Sequence, residues 1–286
     1  MKTLLSLLVF AGLIVGISSE SIAQILDSPR DGVYDPIHIP DKKPIPYTPV
    51  READVAWQKR IWRIMDLRQK INHPFYYPET PKKGWKNFMT VVMDAIREGS
   101  ITAYDPAQDD QFLVPLTYQE IEKKFTRIDT VAIMDPNNPN RILRYEVVKE
   151  DFDPTAVQRI KLKEEWFFDK QRSVMDVRIL GICPVRNLYN EDGTFFGFED
   201  MFWIYFPEAR PVFAQAIVFN THNSAEQRTY DEIFWKRMFG SYVYKEENVY
   251  DREISDYASG MDALLEAERV KSELGNLNMN FGNFNP

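Results

Sequence analysis

The block from Glu164 to Tyr257 constrains this chain more than any other stretch, because its 94 residues carry 21 of the 39 Phe, Trp and Tyr residues. Rings at that density cannot all stay in water, and they are too many for the stripe of one helix. They require a broad dry face. The alternation of Met175, Val177 and Ile179 with Asp176 and Arg178 assigns that face to a sheet. Asn190-Glu191-Asp192-Gly193 supplies a turn, and the nearly all-apolar run Met201 to Phe206 predicts a second strand. Helical period returns from Glu226 to Met238 through Tyr230, Ile233 and Phe234, followed by a short strand from Ser241 to Tyr244. Large amphipathic rings also suit surfaces that stay partly wet until a partner arrives, which makes Trp203 and Tyr205 candidate contact residues.

Upstream, Trp57, Ile61, Ile64, Met65 and Ile71 fall at helical spacing and predict a helix from about Asp54 to Asn72, stopped by Asn72-His73-Pro74. Trp62 lies opposite that stripe with Val55 and is a further candidate contact. A second helix is predicted from about Trp85 to Glu98, ended by Gly99 in the left-handed conformation. Thr117-Tyr118-Gln119-Glu120 has capping-box spacing and marks a third. The turn chemistry of Asp135 to Asn140 predicts a hairpin between Thr130–Met134 and Ile142–Val148. A last helix from Ser259 to Leu274 carries Met261, Leu264 and Leu265 on one side but Val270 and Leu274 on the other, as if half docked, so Leu274 joins the candidate contacts. Gly275 to Pro286 is Asn-rich and reads as a flexible tail. Strands and helices mix without regular alternation. The fold class is therefore α+β, a mixed or antiparallel sheet with flanking helices over residues 52–274.

The chain opens with Met1-Lys2-Thr3, a nearly unbroken apolar run from Leu4 to Ile17, and Ser21-Ile22-Ala23 before Gln24. That pattern predicts a secretory signal peptide over residues 1–23, with an apolar run too short for a spanning helix. Position 24 is Gln, so the predicted cut leaves no Cys for lipid attachment. Residues 24–51 form a proline-rich arm: six of the eighteen prolines fall between Asp27 and Arg51, which forces an extended, polyproline-like course. The arm is read as a spacer. Its apolar residues, among them Tyr34 and Tyr47, allow the alternative of a strap laid over a neighbouring subunit.

Chemistry-bearing patterns are sparse. Cys183 is the only cysteine, which excludes an intramolecular disulfide and leaves a buried small hydrophobe as the expectation. A net charge of −8 argues against nucleic acid or an anionic lipid surface as partner. The three histidines, His38, His73 and His222, lack metal-ligand spacing, and no Gly-x-Ser-x-Gly nucleophile occurs. The acidic pairs Asp109-Asp110, Glu164-Glu165, Glu199-Asp200 and Glu246-Glu247 are read as solvated charge, since adjacent side chains diverge on strand and helix alike. No catalytic residue, metal or cofactor is assigned. Three classes stay open on residues alone: an exported enzyme, an envelope ligand-binding module, and a structural subunit, with the absence of motifs tilting toward the last.

Several stretches together resemble one family. They are Trp57 to Arg63 with Asn72 to Pro78, Ile101-Thr102-Ala103-Tyr104, Trp166 to Val185, Phe202 to Pro211, and Phe234 to Tyr250. Their order and continuity, above all Phe167-Phe168-Asp169-Lys170-Gln171-Arg172-Ser173 followed by Gly181-Ile182-Cys183-Pro184-Val185-Arg186, are similar to the GldN/PorN proteins of the Bacteroidetes type IX secretion and gliding machinery. The resemblance implies a non-enzymatic periplasmic subunit with no cofactor. It would form a ring with itself and a GldK/PorK-like outer-membrane lipoprotein, at the inner face of the outer membrane. The periplasmic part of a GldM/PorM-like motor-shaft protein is a further implied partner. The family pattern supplies no catalytic residues to carry over, and the short Asn-rich end after Val270-Lys271 departs from it.

Overall fold

Residues 55–66 are extended where helical spacing predicts a helix, and this difference decides the architecture. The structure, a computed structural model, describes residues 41–282 other than 83, 108–109, 136–137, 151, 191, 221–222 and 224–225, with the backbone course alone for 127–150 and 277–282. The predicted signal peptide, residues 24–40 with Tyr34 and His38, and His222 lie outside the described residues. Strand β1 (Val55–Asp66) is buried on both faces, with Ile61, Arg63 and Met65 on one side and Trp62 on the other. Apolar residues on both faces of a central strand abolish the polar alternation and imitate the spacing of a helix. The β-branched and aromatic content of the segment favours the extended chain.

The short helix α1 (His73–Tyr76) leads to α2 (Phe88–Arg97). Asn87 Oδ1 accepts the Thr90 N–H at 2.7 Å to open α2, and Gly99 at φ 74° follows its end as expected. Strands β2 (Ala103–Tyr104) and β3 (Pro115–Leu116) precede α3 (Tyr118–Phe125), where the predicted capping box forms between Thr117 and Glu120. The predicted hairpin is β4 (Arg127–Asp135) with β5 (Asn138–Glu150), a separate two-stranded sheet. Strands β6 (Val157–Asp169) and β7 (Val174–Tyr189) form the long central hairpin. Both β8 (Phe195–Asp200) and β9 (Trp203–Tyr205) then pair along the outer edge of β7.

Sequence reading gives the aromatic block one helix; it contains two. The strand predicted over 201–206 stops at Tyr205, and α4 (Phe206–Gln215) begins at once, with Pro207 supplying the fixed φ suited to a first helical turn. Helix α5 (Tyr230–Trp235) is shorter than the predicted 226–238, because the Thr229–Glu232 capping box sets its start. After β10 (Tyr242–Glu246), α6 (Met261–Gly282) runs past Leu274 into the Asn-rich segment. The main sheet has eight strands, all antiparallel, in the order β10-β1-β6-β7-β9-β2-β3 with β8 also on β7. The α+β class with an antiparallel sheet is what the chain forms.

Residues paired across an antiparallel ladder share a face. Ile61 pairs with Glu164 and Glu164 with Ile179, while Arg63 pairs with Leu162 and Leu162 with Ile182. This face is covered at one end by α1, α2, α4 and α5, whose rings interlock: Phe75 lies 5.7 Å from Phe88 and 5.2 Å from Phe234, and Phe88 lies 5.2 Å from Phe213. At the other end it is covered by α6 through Ala267, Val270 and Leu274, packed with Ile61 and Val243. The opposite face carries Trp62, Cys183 and Trp203, covered by Tyr104 at the end of β2 and Phe112 from the segment between β2 and β3.

Candidate contact surfaces

The sheet distributes the predicted contact residues unevenly. Trp62 and Trp203 are only 6% and 4% exposed, because the segment between β2 and β3 folds across them. The Trp62 indole N–H donates to the Asp110 carboxylate, and the Lys245 and Lys163 ammonium groups lie 4.7 and 6.0 Å from its ring centre. Phe112 reaches the sheet at φ 59°, over Gly181, where an added Cβ would fall 2.6 Å from its ring. Glycine is required there by close approach. Leu274 is buried on the docked side of α6.

The described part of the arm lies against its own chain. Tyr47 packs 5.3 Å from Trp235, beneath the Arg210 and Arg178 guanidinium groups at 4.4 and 4.9 Å, and Lys42 pairs with Glu232 at 2.7 Å. Burial pushes the Tyr47 phenol up, opposed by Arg210. Of the five described candidates, Tyr205 alone is exposed, at 40%, with its ring 5.5 Å from Phe112.

A cluster of exposed aromatic rings lies elsewhere, on the β7–β8 hairpin. Phe196 is 72% exposed, and Tyr189, Phe195 and Phe198 are exposed beside it, with Phe195 4.8 Å from Phe198 and 6.1 Å from Tyr189. Arg159 stands 3.8 Å over the Phe198 ring. The acidic end of β8 is neutralised within the chain, by Arg186 on Glu199 and Lys161 on Asp200, both at 2.7 Å. The exposed row is therefore apolar in net character. Sequence reading missed it because a Phe-rich strand looks like core; the cue was its neighbour, a turn-bounded hairpin at the sheet edge.

Charges read as solvated are in part buried. Glu164 is 0% exposed; its carboxylate accepts from Arg237 Nη2 at 2.8 and 3.1 Å and from Trp166 Nε1 at 3.0 Å. Arg63, close by on the same face, donates to Ser241 Oγ at 2.9 Å and to its carbonyl at 3.1 Å. Burial lowers the Arg63 guanidinium, and the Glu164 carboxylate counters this. Asp110 is likewise clamped, by Lys163 at 2.9 Å. Arg210 and Asp231 form a buried two-bond pair at 2.8 and 3.2 Å. These carboxylates are engaged in holding the fold together. Burial also holds the Cys183 thiol well above its ordinary range, in line with the expected inert hydrophobe.

The cavities repeat that pattern. One of about 280 Å³ holds Asp176 and Asp231, yet each of these carboxylates is paired with an arginine, Arg172 or Arg210. A larger one, about 740 Å³, is lined mainly by Ile71, Pro74, Tyr77, Val218, Phe219 and Ile233, with Lys70 and Arg228 among its walls. Among the described residues no three His, Cys, Asp or Glu side chains converge as metal ligands. No described helix is long and apolar enough to cross a membrane.

The stretches singled out by resemblance are the joints of this architecture. Asn72 is buried and donates to the Asp66 and Gly240 carbonyls at 2.7 and 2.9 Å while accepting the Gly240 N–H at 2.9 Å, which clips the end of β1 to the turn before β10. Asp169 accepts the Gln171 N–H at 2.8 Å and the Arg172 Nε at 2.7 Å, which fixes the β6–β7 turn. A family model described as gliding motility associated protein GldN matches residues 50–282. The chain belongs to the GldN family. Comparison with curated proteins returned no match. Membership makes the chain a component of gliding motility and type IX secretion, in a family that is not a known enzyme family. The matched span runs from just before β1 to the end of α6, so the GldN unit is the whole sheet with its helices.

Proposed function

We propose that this GldN-family chain is a non-enzymatic scaffold subunit of the secretion and gliding machinery. It works in the periplasm, against the inner face of the outer membrane, where it builds a ring with itself and a GldK/PorK-like lipoprotein. The lipoprotein supplies the anchor, and the periplasmic part of a GldM/PorM-like motor-shaft protein docks on the ring. The family match over residues 50–282 carries this reading. Two features support it. The buried carboxylates Glu164 and Asp231 and the half-buried Asp110 are engaged in holding the fold, and a row of aromatic rings stands exposed on the β7–β8 hairpin. Exposed aromatics on a rigid strand pair have the composition of a contact surface, which is enriched in Tyr and Phe.

Purification of the native envelope complex through a tagged copy tests the proposal. The tagged chain is expected to elute in a large assembly together with a lipoprotein companion. Elution as a free monomer without that companion would sink the idea.

A further inference from the structure

The arm that leads into β1 is fastened to the body only through contacts that involve a side chain. Among the described residues, none of 41–50 is buried and none shares a backbone-to-backbone hydrogen bond with the rest of the fold. The chain is tied to the β6–β7 hairpin at Asp54, whose carbonyl accepts the Lys170 N–H at 2.8 Å. Before that point Lys42 pairs with Glu232, the Tyr47 ring packs on Trp235, and Arg178 donates to the Thr48 carbonyl. The slot that receives Tyr47 belongs to the body. Arg210, buried and fixed by its two bonds to Asp231, lies 4.4 Å from the Tyr47 ring centre and 5.0 Å from that of Trp235, and Arg178 of β7 lies 4.9 Å from Tyr47. A slot built from α4, α5 and β7 keeps its shape when the arm leaves, whereas an arm with no ladder detaches at small cost.

We infer that in the assembled protein the arm of each copy crosses to the next and seats its Tyr47 in that copy's slot. The chain itself defines this occupant: residues 42–48 fit the slot, and a neighbouring copy carries the identical segment. The contacts are the same within one chain or between two, so reach and local concentration decide between them. A dilute chain has only its own arm at hand. Copies held side by side bring a neighbour's slot equally near, and Pro44, Pro46 and Pro49 keep the arm extended, so it gives up little conformational freedom in reaching outward. The joint sets an arm on one copy against a slot on another and is therefore heterologous. Passed from copy to copy, it closes a ring or extends a filament. The inference rests on the scaffold reading and gives it a specific subunit joint.

Thiol cross-linking in the full chain tests the exchange, since the sole native thiol, Cys183, is fully buried and leaves a clean background. Thr48 and Asp176 line one cavity of about 280 Å³ beside the slot, so Thr48→Cys with Asp176→Cys places two thiols within reach of each other and leaves Tyr47 in place. A short bis-maleimide applied to cells carrying the double variant is expected to give a ladder of dimers, trimers and higher species, while the same variant purified and diluted closes internally as a monomer. Two chains bearing one substitution each, co-expressed with tags of different size, are expected to join as a mixed dimer. Internal closure alone in cells overturns the exchange. So does the absence of any cross-link in a natively folded double variant, or full dimerisation of Thr48→Cys alone, which would mean arm against arm. The anchor is tested by Tyr47→Ala, expected to lower the assembled fraction at least tenfold with native circular dichroism, and by Tyr47→Phe, expected to retain assembly because the ring makes the contacts. Undiminished assembly of Tyr47→Ala counts against the joint. The scaffold reading is judged separately, by co-purification of the tagged chain with its lipoprotein: internal closure with that companion present rejects the exchange alone.

Discussion

Aromatic rings serve opposite ends in two regions of this molecule. Phe75, Phe88, Phe206, Phe213, Tyr230 and Phe234 are fully buried in a knot between the helices and the sheet. Tyr189, Phe195 and Phe198 touch in the same edge-on and tilted manner, yet they remain exposed on the β7–β8 hairpin, as does Phe196. Chemistry is the same in both. Cover differs: α1, α2, α4 and α5 close over the knot, whereas β8 pairs with β7 at the sheet edge and its rings remain exposed. The density of rings thus reports how much dry surface the chain needs, and the topology decides which rings obtain it.

The comparison breaks most readily at Phe88, the member of the knot with ring contacts to Phe75, Phe213, Tyr230 and Phe234. Phe88→Ala is expected to cost about 4 kcal/mol, from lost transfer energy plus a cavity that close-packed neighbours cannot fill. Urea unfolding measures it through the midpoint. A loss below about 1 kcal/mol would mean that the knot is loosely packed and that the two aromatic regions differ less than their burial suggests.

Next in size is the charged belt that separates the knot from the seat of α6. Glu164→Ala strands Arg237 and leaves the buried Arg63 without its strongest opposing charge, and the expected cost is about 3 kcal/mol. The pairing of Glu164 with Arg237, more than its sum of charges, is what the site requires. Glu164→Leu combined with Arg237→Met should therefore recover more than half of that loss, since an apolar pair of similar volume avoids the unpaired charge. If the double variant is no better than the single, the belt acts through Arg63 and the comparison must be redrawn around it.

Sequence revealed the parts of this fold that local chemistry controls. The Thr117–Glu120 capping box, the Gly99 terminator and the Asp135–Asn140 turn each act within a few residues, so their spacing is sufficient. The β1 segment was misread because its pattern answers to both faces of a sheet, and its surroundings are built by residues far along the chain, such as Glu246 opposite Ile61 and Leu274 packed over it. The start of α5 was legible in Thr229-x-x-Glu232, and that of α4 in Pro207, but a run of rings outweighed both signals. Exposure was the least legible. Trp62 and Trp203 carry the composition of an interface, yet the segment bearing Phe112 covers them. That cover depends on Gly181, and Gly181→Ala is expected to displace Phe112, cost about 2 kcal/mol and shift Trp emission to the red as water reaches the indoles.

The smallest effect on stability is expected at Phe196, and it bears most directly on function. The side chain is 72% exposed, so Phe196→Ser removes little buried area, and the midpoint of unfolding should move by less than about 0.5 kcal/mol. Capture of the lipoprotein companion by the tagged chain should nevertheless fall about tenfold, the scale of an aromatic anchor lost from the centre of an interface. The two readouts together separate the regions. A ring that carries binding lowers capture and spares the fold, whereas a ring that carries packing lowers both in proportion. Should Phe196→Ser destabilise the chain by as much as Gly181→Ala does, the hairpin row belongs to the core after all. Unchanged capture with an unchanged fold would move the proposed lipoprotein contact to the exposed Tyr205 on the neighbouring β9 strand.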